Sequence, residues 1–223
     1  MLIRIPHLLS QQQLDKVQQA LSKARFVDGK LSAGMAAKRI KNNQELAMDQ
    51  AQVNELNNIV MGNLVRHPVY KNAALPHRIA VPFYARYTPG MFYGDHVDDP
   101  VMGTDDRYRS DISITVFLNA PEDYQGGELV IRTSFGEQQV KFAAGDAVMY
   151  PSSSRHHVDE VTEGERLVAV TWLQSMVRDP ARRELLYELS LAREKLLRRA
   201  PDADETAHID TAYVNLVRMW AEI

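Results

Sequence analysis

From about Pro76 the chain runs as a series of short β-type stretches, each closed by Gly, Pro or Asp, and this punctuation restricts the possible folds more than any other feature. The stretches fall at 79–88, 91–97, 110–119, 127–133, 138–142, 146–150, 155–161 and 166–174. Phe135-Gly136-Glu137 reads as a tight hairpin between two of them, and Gly126-Gly127 opens the first of that pair. Many short strands of this kind predict a two-sheet jelly roll or barrel. Helical patterns flank them. Ser10 is a plausible N-cap for a helix with Leu14, Val17, Ala20 and Leu21 on one face, and a second helix is expected from Asp49 to Val65 through Val53, Leu56, Ile59, Val60 and Leu64. After Met176, leucines from Leu185 to Leu197 recur among Arg and Glu, Ala200-Pro201-Asp202 breaks the run, and a last helix is expected from about Glu205 to Trp220. The expected organisation is α+β. Residues 1–77 form a helical or mixed region packed on the core, 78–177 the jelly-roll core, and 178–223 a helical extension that packs on the core or joins subunits of a homo-oligomer.

With 223 residues, 45% of them apolar, the chain can fill one sizeable core. A formal net charge of −3 gives no reason to expect a nucleic-acid partner. The Arg-rich run from Ala192 to Arg199 is interleaved with Glu194 and leucines, as on a solvated helix face. Arg4, Pro6 and His7 interrupt the apolar amino terminus, which therefore does not read as a signal peptide. No segment approaches the roughly 20 apolar residues needed to cross a bilayer. The chain has no cysteine, so disulfides, thiolate sites and Fe–S clusters are excluded, and any metal must be held by His, Asp or Glu. A reducing, cytoplasmic setting without membrane attachment is expected.

Against this background His96-Val97-Asp98 acquires meaning. Residues i and i+2 of a strand project to one face, so an imidazole and a carboxylate are offered side by side. Alone the triplet is a weak signal, because Asp98 and Asp99 before Pro100 also suit a turn. The second half is Tyr150-Pro151-Ser152-Ser153-Ser154-Arg155-His156-His157-Val158, with Arg166 ten residues after His156. Two His and one carboxylate leave three positions of an octahedral ion open, the pattern of non-haem Fe(II) oxygenases. A two-oxygen chelator can fill two of these and O2 the third, while Arg166 can pair bidentately with a carboxylate at the chelator's far end.

These residues, with Arg86-Tyr87, Tyr93-Gly94, Gly126-Gly127-Glu128-Leu129, Ala144-Gly145-Asp146 and Thr171-Trp172-Leu173-Gln174-Ser175, resemble the Fe(II)/2-oxoglutarate dioxygenases of prolyl-hydroxylase type. Within them the chain is most similar to the bacterial PKHD-type hydroxylases associated with iron uptake, and the resemblance covers nearly its whole length. It implies a double-stranded β-helix core. It also implies His96, Asp98 and His156 as iron ligands and Arg166 as partner of the 2-oxoglutarate C5 carboxylate. The ten-residue step to Arg166 selects His156, and strand geometry turns the adjacent His157 to the other face. Where related oxygen-sensing enzymes place a tyrosine before a Leu-Asn pair, this chain has Phe117 before Leu118-Asn119, so a carboxylate-binding hydroxyl is missing. Tyr87, Tyr93 and Thr115 are the candidates to replace it.

The implied reaction consumes Fe(II)-bound 2-oxoglutarate and O2, releases succinate and CO2, and hydroxylates a peptidyl prolyl or lysyl group or a small molecule, with ascorbate as a possible accessory. The polar segment from Ala37 to Glu45 is either a lid reaching the site or a solvated loop. Other readings stay open at this point. A nucleic-acid demethylase of the superfamily carries a second arginine where this chain has Trp172. A non-catalytic iron or 2-oxoglutarate sensor would use the same residues, and a zinc hydrolase lacks its H-E-x-x-H spacing here.

Overall fold

A computed structural model of the chain describes residues 1–47 and 50–222. Among these residues an eight-stranded antiparallel sheet faces a five-stranded one. The main sheet runs in the order Ile3–Ile5, Ala147–Pro151, Ile112–Phe117, Arg166–Ser175, Phe83–Tyr87, Gln44–Leu46 and Phe26–Asp28, with Pro76–Ile79 paired to the far end of Arg166–Ser175. The second sheet runs Gly136–Val140, Leu129–Thr133, His156–Val158, Phe92–His96 and Lys41–Asn42. This is the two-sheet jelly roll expected from the strand count, and the double-stranded β-helix that the resemblance implies.

Strand alternation builds two cores from one sheet. Ile112, Ile114 and Val116 point outward into a cluster with Leu14, Val17 and Leu21 of helix α1 (Gln11–Ser22) and Leu56, Val60 and Leu64 of α2 (Gln50–Leu64). Ser113, Thr115 and Phe117 point inward, where Phe117 joins Tyr87, Tyr150, Val168, Leu129 and Ile131 between the sheets. All six residues of Ile112–Phe117 are buried, as befits a central strand covered on both faces. Ser10 caps α1 through a capping box. Its hydroxyl accepts from the Gln13 amide, and the Gln13 side chain accepts from the Ser10 amide at 2.9 Å. Asp49, the expected start of the second helix, lies outside the described residues.

After a short α3 (Pro68–Ala74) and the strands, α4 (Pro180–Arg199) and α5 (Asp204–Trp220) pack as a pair. Leu186 of α4 meets Leu75 and Val177, with Tyr213, Leu216, Val217 and Trp220 of α5 closing over them. No helix among the described residues is long and apolar enough to cross a membrane.

Several expectations are corrected. The run 79–88 is two strands, broken at residues 80–82, because Pro82 cannot donate to a ladder. The hairpin turn is Ser134-Phe135, since Thr133 already pairs with Gly136, whose φ of 118° begins the return strand. Residues 155–161 are likewise two strands, His156–Val158 and Val161–Gly164, and the latter pairs with Tyr124–Gly126 in a separate ribbon. The stretch up to residue 77 supplies strands to both sheets. The segment Lys41–Leu46 pairs first with Phe92-Tyr93 of the second sheet and then, beyond Asn43, with strand Phe83–Tyr87 of the main sheet. Lys41, Asn43 and Glu45 are buried, and Lys41 Nζ meets Glu45 Oε1 at 2.5 Å. The part of Ala37–Glu45 from Lys41 onward is therefore a wall of the sandwich rather than a lid or a solvated loop. Alternation sends Lys41, Asn43 and Glu45 inward, where Lys41 pairs with Glu45 and Asn43 meets Tyr87.

Candidate metal centre and anion pocket

Two strands of the second sheet carry the cluster. His156 lies directly opposite His96 in the pairing of His156–Val158 with Phe92–His96, and Asp98 follows just beyond the end of the latter strand. The ligand-capable atoms of His96, Asp98 and His156 all lie within 4.8 Å of one another. Asp98 Oδ1 is 3.7 Å from His96 Nε2 and 3.9 Å from His156 Nε2. Both histidines are oriented by the same device. Nδ1 of each donates to the carbonyl two residues earlier, His96 to Gly94 at 2.8 Å and His156 to Ser154 at 2.9 Å. A carbonyl can only accept, so Nδ1 carries the proton and the Nε2 lone pairs converge with the carboxylate.

The carboxylate is aimed too. Ser113 Oγ donates to Asp98 Oδ2 at 2.5 Å and lies 2.8 Å from Ser152 Oγ, which leaves Asp98 Oδ1 for the histidine side. Tyr93 stacks on His96 with ring centroids 3.8 Å apart and an interplanar angle of 16°, and Tyr150 meets His156 edge-on at 5.0 Å. Burial, and then repulsion from His156, lowers the His96 pKa to about 4. The imidazole is thus neutral near pH 7, as a metal ligand must be. Three convergent donors, each with its other polar atom already engaged, fit a divalent ion with open coordination positions.

His157 faces away from this cluster. Its Nδ1 lies 3.0 Å from Asp95 Oδ1 and its Nε2 3.1 Å from Asp159 Oδ1. His7, His67, His77 and His208 stand outside the cluster that the described residues form.

Arg166 begins the strand Arg166–Ser175 and is 1% exposed. Its guanidinium lies 4.9 Å from the centroid of the Tyr87 ring, and its Nε and Nη1 are buried without a hydrogen-bond partner. A buried cation with unused donors is costly unless an anion completes it. Tyr87 is buried against this arginine and also receives a hydrogen bond from Asn43. Thr115 is buried and lies within hydrogen-bonding reach of the Tyr150 hydroxyl. Tyr93 lies against His96. Burial raises the phenol pKa of Tyr87 and of Tyr150 despite the opposing charge of Arg166, so both are neutral donors.

Sequence reasoning missed Ser113, Ser152 and Tyr150, although Tyr150-Pro151-Ser152 stood in a quoted motif. It also missed Tyr124, which lies within hydrogen-bonding reach of Arg166. Only long-range strand pairing brings these residues to the site.

Residues 82–174 match the model of the 2OG-Fe(II) oxygenase superfamily, and residues 180–222 that of the PKHD-type hydroxylase C-terminal domain. The chain is 53% identical to a PKHD-type hydroxylase of Thioalkalivibrio sulfidiphilus and 46% identical to one of Acaryochloris marina, each alignment covering all of both chains. Among solved structures, a Pseudomonas putida prolyl-4-hydroxylase aligns with a TM-score of 0.51 at 21% identity, over 78% of this chain and 92% of that one. A prolyl hydroxylase from Trichoplax adhaerens, in complex with a hypoxia inducible factor oxygen degradation domain peptide fragment, aligns with a TM-score of 0.58 at 18% identity, over 82% and 86%. At these identities the two structures support the fold alone.

Proposed function

The chain belongs to the PKHD-type hydroxylases of the 2OG-Fe(II) oxygenase superfamily, and from that premise we propose that it holds Fe(II) with His96, Asp98 and His156, binds 2-oxoglutarate through Arg166, and hydroxylates a peptidyl or small-molecule substrate. The observation that carries this reading is the buried Arg166 guanidinium with two unpartnered nitrogens, facing the same inter-sheet space as the three convergent ligand atoms. A metal site alone would suit many chemistries. A metal site with a buried cation in the same inter-sheet space suits a chelator that ends in a carboxylate.

When bound, Fe(II) and 2-oxoglutarate supply the oxidising chemistry, with O2 as cosubstrate and succinate and CO2 as products. The protein's part is positioning and exclusion. Gly94 and Ser154 carbonyls fix the imidazoles, Ser113 fixes the carboxylate, and Arg166 neutralises the far end of the cosubstrate. The apolar walls Phe117, Val148, Val158 and Val168 keep water from that pocket and strengthen each charged contact inside it. Tyr87 belongs to the carboxylate site. Thr115 acts on it through the Tyr150 hydroxyl.

Similarity over the whole chain to PKHD-type hydroxylases supports hydroxylation as the reaction. A prolyl or lysyl peptide or a small metabolite as substrate, a link to iron uptake, and ascorbate as accessory reductant belong to the same proposal. So does a cytoplasmic location, which a cysteine-free chain suits. Leu185, Leu197 and Met219, exposed on α4 and α5, support association of copies through these helices.

The test is an anaerobic titration of Fe(II) protein with 2-oxoglutarate. A visible metal-to-ligand charge-transfer band is expected, and it should be absent in His96→Ala. An unchanged band in that variant would remove His96 from the ligand set. A succinate-release screen over prolyl and lysyl peptides and small metabolites then identifies the substrate class.

A further inference from the structure

The register places Phe117 opposite Val168, so Phe117 and Arg166 are diagonal neighbours on the inward face of two paired strands. A phenylalanine there offers no proton donor. One arrives instead from the ribbon formed by Tyr124–Gly126 and Val161–Gly164. Tyr124 is 2% exposed and packs in the same inter-sheet cluster as Phe117 and Tyr87.

Gly127 shows how closely Tyr124 and Arg166 are fitted. Its φ is +69°, and a Cβ built on it would stand 3.0 Å from Arg166 Cδ, 3.1 Å from Tyr124 Cε2 and 2.9 Å from Val161 Cγ2. The tyrosine ring and the arginine stem therefore close on one backbone position that only glycine leaves open. Lys141 fixes the ring further. Its Nζ lies 4.2 Å from the ring centroid while donating to the Tyr124 and Gly126 carbonyls, both at 3.0 Å. Burial raises the Tyr124 phenol pKa, with Arg166 opposing, so the hydroxyl keeps its proton near pH 7. A phenol oxygen that accepts from a guanidinium still has its own O–H to give.

We propose that Tyr124 is a further binding residue for the distal carboxylate of 2-oxoglutarate, donating its hydroxyl proton beside Arg166 Nε and Nη1 and supplying from another strand the donor that Phe117 lacks. The proposal rests on the iron and 2-oxoglutarate reading above and deepens it. The carboxylate pocket is then built from Arg166, Tyr87 and Tyr124.

The experiment uses the full chain with Fe(II), held anaerobic, and follows the charge-transfer band during titration with 2-oxoglutarate and, separately, with 2-oxopentanoate, which has the same carbon chain without the distal carboxylate. Tyr124→Phe is expected to weaken 2-oxoglutarate binding about tenfold, the loss of one hydrogen bond to a charged group. It should leave 2-oxopentanoate and Fe(II) binding unchanged. Phe117→Tyr combined with Tyr124→Phe should recover most of the loss. Equal weakening of both oxo acids, or of neither, overturns the proposal. A second measurement needs no cavity or lost packing: 3-fluorotyrosine at position 124, a stronger donor, should tighten 2-oxoglutarate and not 2-oxopentanoate, and no change overturns the proposal equally. Failure of the underlying reading looks different, because the wild-type protein itself would give no band.

Discussion

His157 and Asp95 meet at 3.0 Å on the face of the second sheet opposite to the one where His156 and His96 converge. Arg132 Nη2 lies 2.7 Å from the other oxygen of Asp95, so three strands are tied together behind the metal-competent cluster. His157→Ala should therefore cost about 1 kcal/mol of stability and less than about tenfold in Fe(II) affinity, whereas His156→Ala should abolish Fe(II) binding. Denaturant unfolding and anaerobic Fe(II) titration of both variants check this. Comparable loss of metal in the two would make His157 a ligand.

In the proposed iron site Ser113 would act on the metal through Asp98. Removing its hydroxyl frees a carboxylate oxygen that now accepts at 2.5 Å. Ser113→Ala is expected to lower metal affinity roughly 10- to 100-fold. Calorimetric titration with Co(II) measures the change, and wild-type affinity would mean that Asp98 is held in place by its backbone.

The neutral His96 makes stability depend on pH in a defined direction. Its pKa falls from 6.5 to about 4 on folding, through burial first and then repulsion from His156. Between those values the unfolded chain binds more protons than the folded one, so stability drops as pH falls through that window and is level above it. In chelator-treated protein, urea midpoints from pH 7.5 to 4 should show this decline, and His96→Asn should flatten it. Parallel profiles for the two proteins would show that the decline comes from other groups.

Gly127→Ala probes the close approach at the anion pocket. A methyl group there sits at φ +69° and within about 3 Å of three side-chain atoms. A loss of about 1–3 kcal/mol is expected, with 2-oxoglutarate affinity falling more than Fe(II) affinity. Wild-type Tm and 2-oxoglutarate binding together would show that Arg166 and Tyr124 repack without consequence.

What could be read in advance divides by sequence separation. The Ser10 cap and the Leu14, Val17, Leu21 face are local signals, and they appear as α1. The long alternating stretches appear as strands near their expected places. The strands Ile3–Ile5, Lys41–Asn42 and Gln44–Leu46 did not stand out, because two or three residues are too few to show alternation. The convergence of His96, Asp98 and His156 was legible through a family motif of particular residue types at fixed spacing. Ser113 and Tyr124 were not. A serine or tyrosine carries no such signature, and both reach the site through partners many residues away, Asp98 for one and Arg166 for the other.

The way Lys41–Leu46 crosses from one sheet to the other bears on how this protein can be divided. Strand Phe83–Tyr87 owes one of its neighbours to Gln44–Leu46, strand Phe92–His96 owes one to Lys41-Asn42, and strand Ala147–Pro151 owes one to Ile3–Ile5. A fragment starting at residue 78 would bare all three edges at once, including the one that carries His96. Unpaired backbone of that kind recruits other chains, so trimming the amino-terminal third would yield aggregates in place of a minimal catalytic core.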